Sequence, residues 1–337
     1  MRVGMIGAGG IAVEHAAAWA ALGAEITVFS AEGAQDLATE CGGKAVASLD
    51  DLLGRSDVVD VMTPTDTHYE YTLAAIEAGR HVVCEKPLAR TPAQAGELVW
   101  AAARAGVQLY PAQVVRYFPE YVATRNAVAA GRVGRPAVLR LTRSGVFPSW
   151  SPWFADDARS GGIVADQMIH DLDIARWIAG EVREVYALRS RADQRQTAHV
   201  TLTHVSGAVS SVAGLWGPPH LAFRTAVHVA GDRGVLRYDS AQPTGVRADL
   251  APVAVDGRPR PAAVGGESPY LAQLREFAAA FDGGPLPRVD AVDGAIAVEL
   301  AAAAQTSIAR GEPVRVDTAA RACALAAAVG TTDRRSA

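Results

Sequence analysis

The segment Arg2-Val3-Gly4-Met5-Ile6-Gly7-Ala8-Gly9-Gly10-Ile11-Ala12 joins a short apolar run to a glycine-rich turn and to the start of a helical pattern. Gly7 permits a tight turn, and Gly9 lets the backbone approach an anion that the helix N-terminus attracts. Such a glycine pattern is weak evidence alone, but the strand before it and the helix after it give it weight. The context predicts a cradle for a dinucleotide pyrophosphate, and a turn without a ligand is the alternative. The residues predicted to bind this cofactor are Gly7, Ala8, Gly9, Gly10 and Ile11.

Short apolar runs alternate with helical segments over residues 1–110. This alternation is typical of a parallel sheet that helices cover on both faces. The predicted strands are Val3–Ile6, Glu25–Phe29, Asp57–Met62, His81–Cys84 and Val107–Tyr110. The predicted helices lie near residues 10–22, 33–41, 67–78 and 92–105. The sequence therefore predicts an α/β fold.

The second predicted strand is followed by Ser30, where dinucleotide-binding domains commonly carry an acidic residue for the adenosine ribose. No carboxylate at position 30 repels the 2′-phosphate of NADP, and no adjacent Arg or Lys attracts it. Glu32 either reaches the ribose or is a solvated loop charge. The sequence places Ser30 at the adenosine end of the cofactor and leaves NAD and NADP as alternatives.

Composition narrows the class of protein. The chain has 337 residues, which is enough for two domains. Its net charge is −4, and the sequence contains no block rich in Lys and Arg. Nucleic acid and anionic membranes are therefore not expected as partners. We see no secretion signal and no apolar run of the roughly 20 residues that span a membrane, so we expect a cytoplasmic protein. The three scattered cysteines and the spacing of the histidines indicate neither a disulfide framework nor a metal site.

Asp166 and His170 are four residues apart and follow Gly161-Gly162. On one helix this spacing places both side chains on one face, where they could work together or merely brace the helix. Lys86 follows a predicted strand, in Glu85-Lys86-Pro87. An imidazole, a carboxylate and an ammonium are the groups that remove a proton from a hydroxyl and stabilise the charge that develops.

The order and spacing of these motifs resemble the Gfo/Idh/MocA oxidoreductase family, which includes glucose–fructose oxidoreductase and inositol dehydrogenase. The motifs are Gly7-Ala8-Gly9, Thr63-Pro64 with His68, Ala78-Gly79-Arg80-His81-Val82 before Glu85-Lys86-Pro87, and Gly161-Gly162 before Asp166 and His170. The resemblance implies a Rossmann domain over residues 1–115 and a substrate-binding and oligomerisation domain over 116–337. The latter is an α/β domain with a large, mostly antiparallel, open sheet. A homo-oligomer, either dimer or tetramer, is implied as well.

The pattern of the second domain agrees with this resemblance. Turn residues separate β-like segments at Pro136–Ser144, Glu184–Arg191, His199–His204, Ala208–Trp216, Ala226–Ala230 and Gly234–Tyr238. Amphipathic helices are predicted near residues 119–130, 165–179, 269–282 and 291–309, and surface loops over 241–267.

The resemblance matches Lys86, Asp166 and His170 to functional positions of the family and Arg116 to a position near the substrate, and the chemistry of the residues suggests the following roles. His170 is the expected general base, Asp166 orients it, and Lys86 stabilises alkoxide character on the same hydroxyl. Further expected cofactor contacts are Ser30, Thr63, Pro64, His68, Glu85 and Lys86. The expected substrate contacts are Lys86, Arg116, Trp150, Trp153, Asp166, Gln167 and His170.

Several of these assignments have alternatives. Arg116 is otherwise a surface salt-bridge residue, both tryptophans otherwise pack, and Glu85 otherwise fixes its turn. A cis Lys86–Pro87 bond is compatible with the sequence, because proline lowers the free energy of the cis form relative to other residues.

Together these features predict an NAD(P)-dependent oxidoreductase that interconverts a ring hydroxyl and a ketone on a sugar, inositol or related polyol. One alternative is a lyase or glycosidase that oxidises its sugar transiently with tightly bound NAD. The other alternative is a non-catalytic regulator that senses a dinucleotide on the same fold.

Overall fold

Six strands of the first part of the chain form a parallel sheet. The computed structural model describes residues 1–242 and 267–328. The strands are β1 (Arg2–Ile6), β2 (Glu25–Phe29), β3 (Lys44–Ala45), β4 (Val58–Val61), β5 (His81–Glu85) and β6 (Leu109–Ala112). Their order, β3-β2-β1-β4-β5-β6, reverses direction next to β1, so the crevice at that point lies beside the glycine-rich turn. All five strands predicted for this region are present, and the two-residue β3 was not predicted.

Helices connect these strands, and the last of these helices has the caps that the sequence places at its two ends. They are α1 (Gly10–Ala21), α2 (Ala34–Cys41), α3 (Leu49–Arg55), α4 (His68–Glu77) and α5 (Pro92–Ala105). At the start of α5 the Thr91 hydroxyl accepts a hydrogen bond from the backbone N–H of Gln94, and Pro92 occupies the first turn. The helix ends at Gly106, whose φ of 69° is left-handed. Residues close to each end of α5 thus determine where this helix of the parallel α/β arrangement begins and ends.

A second sheet has seven strands, and all its neighbouring pairs are antiparallel except β7 with β10. The strands are β7 (Pro136–Val146), β8 (Val182–Ala192), β9 (Arg195–His204), β10 (Val209–Gly217), β11 (Arg224–Gly231), β12 (Val235–Asp239) and β13 (Val314–Arg315). Along β9 and β10 buried and more exposed residues alternate, so one face of the sheet packs against helices. The prediction of a large, mostly antiparallel sheet is confirmed.

The helices of this region are α6 (Pro119–Ala129), α7 (Asp157–Ser160), α8 (Gly162–Asp166) and α9 (Ile169–Ala179). The single helix predicted over residues 165–179 is wrong at its start, because Gln167 and Met168 separate α8 from α9. Later in the chain lie α10 (Pro269–Phe281), α11 (Ala291–Arg310) and α12 (Thr318–Ala328). The predictions for residues 269–282 and 291–309 are confirmed.

The chain forms two compact units. The described part of the first contains Met1–Tyr117 with residues 267–298 and 322–328, and that of the second contains residues 118–242 and 299–321. In the first unit, Leu274 and Phe277 of α10 belong to the same buried cluster as Met5 and Trp19. The boundary that we expected between residues 115 and 116 stays a prediction, because compactness does not establish which segments fold as domains.

Most of the loop predicted over residues 241–267 lies outside the described residues. None of the helices within the described ranges is long and apolar enough to cross a membrane.

Candidate active site

The glycine-rich turn connects β1 to α1 and leaves open space at the helix N-terminus. Gly7 has a φ of 105°, and a Cβ added there would lie 2.6 Å from the carbonyl oxygen of Met62, so the position requires glycine. A Cβ added to Gly9 or Gly10 would meet no atom within 4 Å. The turn therefore combines a fixed backbone with an open cradle, which fits a pyrophosphate bound by helix N–H groups.

Three predicted cofactor contacts lie at one edge of the parallel sheet. Gly7 follows β1, Thr63 closely follows β4, and Lys86 follows β5, while β1 pairs with β4 and β4 with β5. Because neighbouring parallel strands end at the same edge, the structure brings these residues together where such sheets bind ligands. Ser30 follows β2 at the same edge and is half-buried, whereas Glu32 is exposed.

The Lys86 turn is fixed by its own neighbours. The Lys86–Pro87 bond is cis, as the sequence allowed. Glu85 is buried, and its Oε2 accepts a hydrogen bond from the Lys86 backbone N–H at 2.9 Å. The Lys86 side chain is half-buried. These contacts support the alternative in which Glu85 fixes the turn, and its contact with cofactor stays a prediction.

A buried ionic cluster behind this turn was not found from the sequence. His15 on α1 is 0% exposed; its Nδ1 lies 2.8 Å from Asp60 Oδ2 and its Nε2 lies 3.2 Å from Glu85 Oε1. The Trp19 indole N–H donates to the same Asp60 oxygen at 2.7 Å. Burial opposes the charge on His15, but Asp60 and Glu85 outweigh burial and raise the pKa of His15 to about 10.

The cluster also keeps Glu85 ionised. Burial raises the pKa of Glu85, but His15 reverses that effect and the pKa lies below its ordinary value. One sequence signal could have pointed to the cluster. Asp60 stands within the otherwise apolar Val58-Val59-Asp60-Val61, and a buried carboxylate in a strand requires a partner.

His68 lies beneath the sheet edge, where it joins two turns. Its Nδ1 lies 2.7 Å from the Pro87 carbonyl oxygen and its Nε2 lies 2.8 Å from the Thr63 carbonyl oxygen. The ring is buried, and burial lowers the pKa of His68 below its ordinary value, although both carbonyl groups oppose this effect. These contacts position the turns that carry Thr63 and Lys86, and the expected contact of His68 with the cofactor stays a prediction.

In the second unit, Asp166 ends α8 and His170 lies in the first turn of α9. The one-helix geometry expected for this pair is wrong, because the Met168 backbone N–H donates to the carbonyl of Ile163, five residues earlier. The Met168 side chain fills the space above Gly214 of β10, where an added Cβ would lie 2.5 Å from its sulfur. Both Asp166 and His170 are half-buried.

Side chains next to this pair attach it to the sheet. The Gln167 amide donates to the Arg143 carbonyl at 2.8 Å, so its expected contact with substrate stays a prediction. Asp171 accepts two hydrogen bonds from Arg143, at 2.7 and 3.1 Å, and both side chains are buried. Burial lowers and Asp171 raises the pKa of Arg143, with a net upward shift. The backbone beside His170 is thereby held to β7.

The two glycines before α8 have left-handed backbones, with φ of 80° at Gly161 and 64° at Gly162. The Gly161 carbonyl accepts a hydrogen bond from the Gln305 amide at 2.7 Å. Asp157 binds Arg189 and Arg191 of β8 at 3.1 and 3.0 Å. The entry to α8 is therefore anchored on both sides.

Two of the expected substrate contacts have structural surroundings. Arg116 is 2% exposed and donates to Asp293 Oδ2 at 2.9 Å, so its ion pair is confirmed but the surface location that we considered is wrong. Trp153 stacks on Phe154 with ring centroids 4.0 Å apart, whereas Trp150 is 55% exposed. Contact of any of them with substrate stays a prediction.

No group of three or more His, Cys, Asp or Glu side chains in residues 1–242 and 267–328 is arranged to hold a metal ion.

Comparison with known proteins shows which protein family the chain resembles. A model described as an oxidoreductase family with an NAD-binding Rossmann fold matches residues 1–113, and a GFO/IDH/MocA C-terminal domain model matches residues 121–237. The chain is 30% identical over 340 residues to myo-inositol 2-dehydrogenase of Thermotoga maritima, covering 94% of this chain and 99% of that protein.

Two further matches are informative. The chain is 41% identical over 189 residues to 1,5-anhydro-D-fructose reductase of Ensifer adhaerens, which covers 53% of this chain and only 57% of that protein. Among solved structures, GenD2 from gentamicin A biosynthesis, in complex with NAD, superposes with a TM-score of 0.82 at 26% identity. That match covers 94% of this chain and 96% of GenD2.

Proposed function

Because the chain belongs to the Gfo/Idh/MocA family of NAD-binding oxidoreductases, we propose that it is a dehydrogenase or reductase for a sugar, inositol or related polyol. When bound, the nicotinamide cofactor supplies the hydride acceptor or donor. The observation that carries the proposal is the sheet edge at which the open glycine cradle, the Thr63–Pro64 turn and Lys86 occur together. The names of the relatives, an inositol dehydrogenase and an anhydrofructose reductase, support a polyhydroxylated ring as substrate.

Lys86 has the chemical character that this role requires. The sequence contains 32 basic residues, of which only Lys44 and Lys86 are lysines. Arginine keeps its charge under all ordinary conditions, whereas lysine provides a compact ammonium that can also exchange a proton. We assign Lys86 to stabilise the alkoxide character of the reacting hydroxyl.

His170 and Asp166 supply the proton chemistry in this proposal. An unperturbed imidazole titrates near neutral pH, which suits a general base, and His170 takes the proton of the reacting hydroxyl. Asp166 orients the ring and stabilises its cationic form. The fixed backbone around Gln167 and Asp171 supports this assignment, since a general base needs a defined position.

We assign NAD rather than NADP as the preferred cofactor. The segment Ser30-Ala31-Glu32-Gly33 carries one carboxylate and no Arg or Lys, so no cation in it would attract a 2′-phosphate. Fluorescence titration should show tighter binding of NADH than of NADPH. Tighter binding of NADPH would refute this preference and leave the dehydrogenase assignment intact.

The proposed reaction is tested with a panel of inositols, aldohexoses, anhydrosugars and methyl glycosides, with NAD⁺ or NADP⁺, following the absorbance of the reduced nicotinamide. The reverse direction uses keto sugars with NADH or NADPH. Turnover with at least one polyhydroxylated ring is expected. A protein that binds NADH but turns over no member in either direction would contradict the proposal.

Two variants test the assigned residues. Lys86→Ala should lower kcat by at least about 100-fold, because it removes a charge that stabilises the transition state. His170→Asn should lower kcat by about 100- to 10,000-fold. Both should bind NADH with an affinity close to that of the unaltered protein. Lys44→Ala is the matched control and should retain full turnover; a Lys86→Ala enzyme as active as this control would remove Lys86 from the mechanism.

A further inference from the structure

Glu85 stands between the buried histidine and the lysine turn. Its Oε1 lies 3.2 Å from His15 Nε2, and its Oε2 accepts the backbone N–H of Lys86 at 2.9 Å. Glu85 is also the last residue of β5, at the sheet edge that carries the cradle. The carboxylate is therefore held from both sides, and its orientation fixes the backbone from which the lysine side chain extends.

The contacts of His15 define its charge state. Each ring nitrogen faces a carboxylate oxygen, Asp60 Oδ2 at 2.8 Å and Glu85 Oε1 at 3.2 Å. The 2.8 Å contact with Asp60 is a hydrogen bond and the 3.2 Å contact with Glu85 is an ion pair, so the imidazolium is the form of the ring that both carboxylates favour. Trp19 donates to the same Asp60 oxygen, and the ring centroid of Tyr270 of α10 lies 5.9 Å from that of His15. The raised pKa of His15 agrees with this geometry.

His15 also connects two parts of the proposed site. It lies on α1, the helix that begins at Gly10 beside the cradle, while Glu85 ends β5 and Asp60 lies in β4. Its imidazolium thus joins α1, the helix that follows the glycine turn, to β4 and β5, the strands that precede the Thr63 turn and the Lys86 turn. Removing it would leave two buried carboxylates without their shared cation, and they would repel each other.

We infer that His15 is a positioning residue for Lys86, acting through the carboxylate of Glu85. The imidazolium orients Glu85, and Glu85 holds the first backbone N–H of the lysine turn. The effect on catalysis rests on the proposed function of Lys86, whereas the effect on the position of Lys86 does not.

The scarcity of lysine makes this inference directly measurable. Reductive methylation with ¹³C-formaldehyde labels the terminal amine, Lys44 and Lys86, so the NMR spectrum contains only three kinds of labelled amine. Lys86→Ala and Lys44→Ala assign the signals. In His15→Gln we expect the Lys86 signal to shift or broaden at constant pH, with the Lys44 signal unchanged as an internal control.

Activity provides the second readout. With the best substrate of the panel, His15→Gln should lower kcat by about 10- to 100-fold, because displacement of about 1 Å is costly at a reacting centre. The Kd for NADH and the KM should change much less than kcat. A lowered thermal stability alone, with kcat and the Lys86 signal unchanged, would overturn the inference.

Trp19→Phe is the matched control, because it removes one hydrogen bond to Asp60 and leaves the contact between His15 and Glu85. It should lower stability and leave the Lys86 signal in place. A shift of that signal as large as in His15→Gln would overturn the inference in favour of general core packing.

If His15→Gln does not fold, Glu85→Gln tests the positioning of Lys86 in its place. This substitution keeps the size of the Glu85 side chain and removes its charge. It should displace the Lys86 signal, and an unchanged signal would again overturn the inference. Loss of the proposed function is recognised separately, by full turnover of Lys86→Ala, and does not affect the NMR result.

Discussion

The imidazolium of His15 shows how a single buried charge determines both local geometry and pH dependence. A buried charge is tolerated only with paired neighbours, and here Asp60 and Glu85 supply them. Because the pairing exists only in the folded chain, proton binding by His15 is linked to folding.

The stability of the protein should therefore fall in mildly alkaline solution. The pKa of His15 is raised to about 10, above the value of about 6.5 in an unfolded chain. Its contribution to the free energy of unfolding is complete below the unfolded pKa and is lost as the pH rises through the folded pKa. Calorimetric Tm values measured between about pH 6.5 and pH 10 should decrease in the unaltered protein.

In His15→Gln this part of the pH dependence should be absent, although its Tm is lower throughout. An equally steep alkaline decrease in that variant would assign the effect to other groups.

Single elements of the structure explain why two glycines of the same turn differ in function. Gly7 is fixed by the residue after β4, since a Cβ at Gly7 would lie 2.6 Å from the carbonyl oxygen of Met62. Gly9 faces open space and has an ordinary φ of −78°. The first glycine therefore serves the fold, whereas our proposal assigns the open space at the second to the bound cofactor.

Alanine at these two positions should have different effects on stability and on cofactor binding. Gly7→Ala should lower the free energy of unfolding by at least about 1 kcal/mol, because of backbone strain and the contact with Met62. Gly9→Ala should leave stability within about 0.5 kcal/mol but weaken NADH binding more than about tenfold. Chemical denaturation and fluorescence titration measure these effects; equal stability losses would contradict the distinction.

Breaking the ion pair between β7 and α9 from one side should destabilise the second unit strongly. Asp171→Asn leaves the buried guanidinium of Arg143 without its counter-charge and should lower the free energy of unfolding by about 3–5 kcal/mol. Asp157→Asn breaks pairs that are about one-third exposed and should cost less than about 1 kcal/mol. Urea denaturation compares the two variants, and a smaller loss in Asp171→Asn than in Asp157→Asn would contradict this assignment.

The whole molecule assembles its first unit from distant parts of the chain. Helix α10 returns to that unit and stacks Phe277 on Tyr110 with ring centroids 5.0 Å apart. The helix α11 begins in the first unit and continues into the second beyond Val298. Neither feature follows from the order of motifs along the chain.

A fragment ending at Tyr117 should consequently not fold stably, because it lacks Leu274 and Phe277 from its core. In the full chain, Phe277→Ala should lower the free energy of unfolding by about 3–5 kcal/mol. Circular dichroism and thermal melts check both statements. A fragment with a cooperative melt near that of the full protein would show instead that residues 1–117 form an independent domain.

The sequence predicts elements better than contacts. Apolar runs such as Val82-Val83-Cys84 and caps such as Thr91-Pro92 specify strands and helices, because they act over a few residues. The cluster of His15, Asp60 and Glu85 joins residues 45 and 70 positions apart; the local sequence marks Asp60 as needing a buried partner but does not identify that partner. The break before His170 was missed for the same reason, since Gly214, which leaves space for Met168, lies on a strand far along the sequence.

Gly214 therefore lets the sheet influence the direction of the helix that carries His170, to which we assign the proton transfer. The bend between α8 and α9 accommodates a thioether that fits only because the facing strand residue lacks a side chain. Enlarging position 214 would push on the bend and tilt the following helix, and so redirect the His170 imidazole without changing any residue that we assign to the reaction.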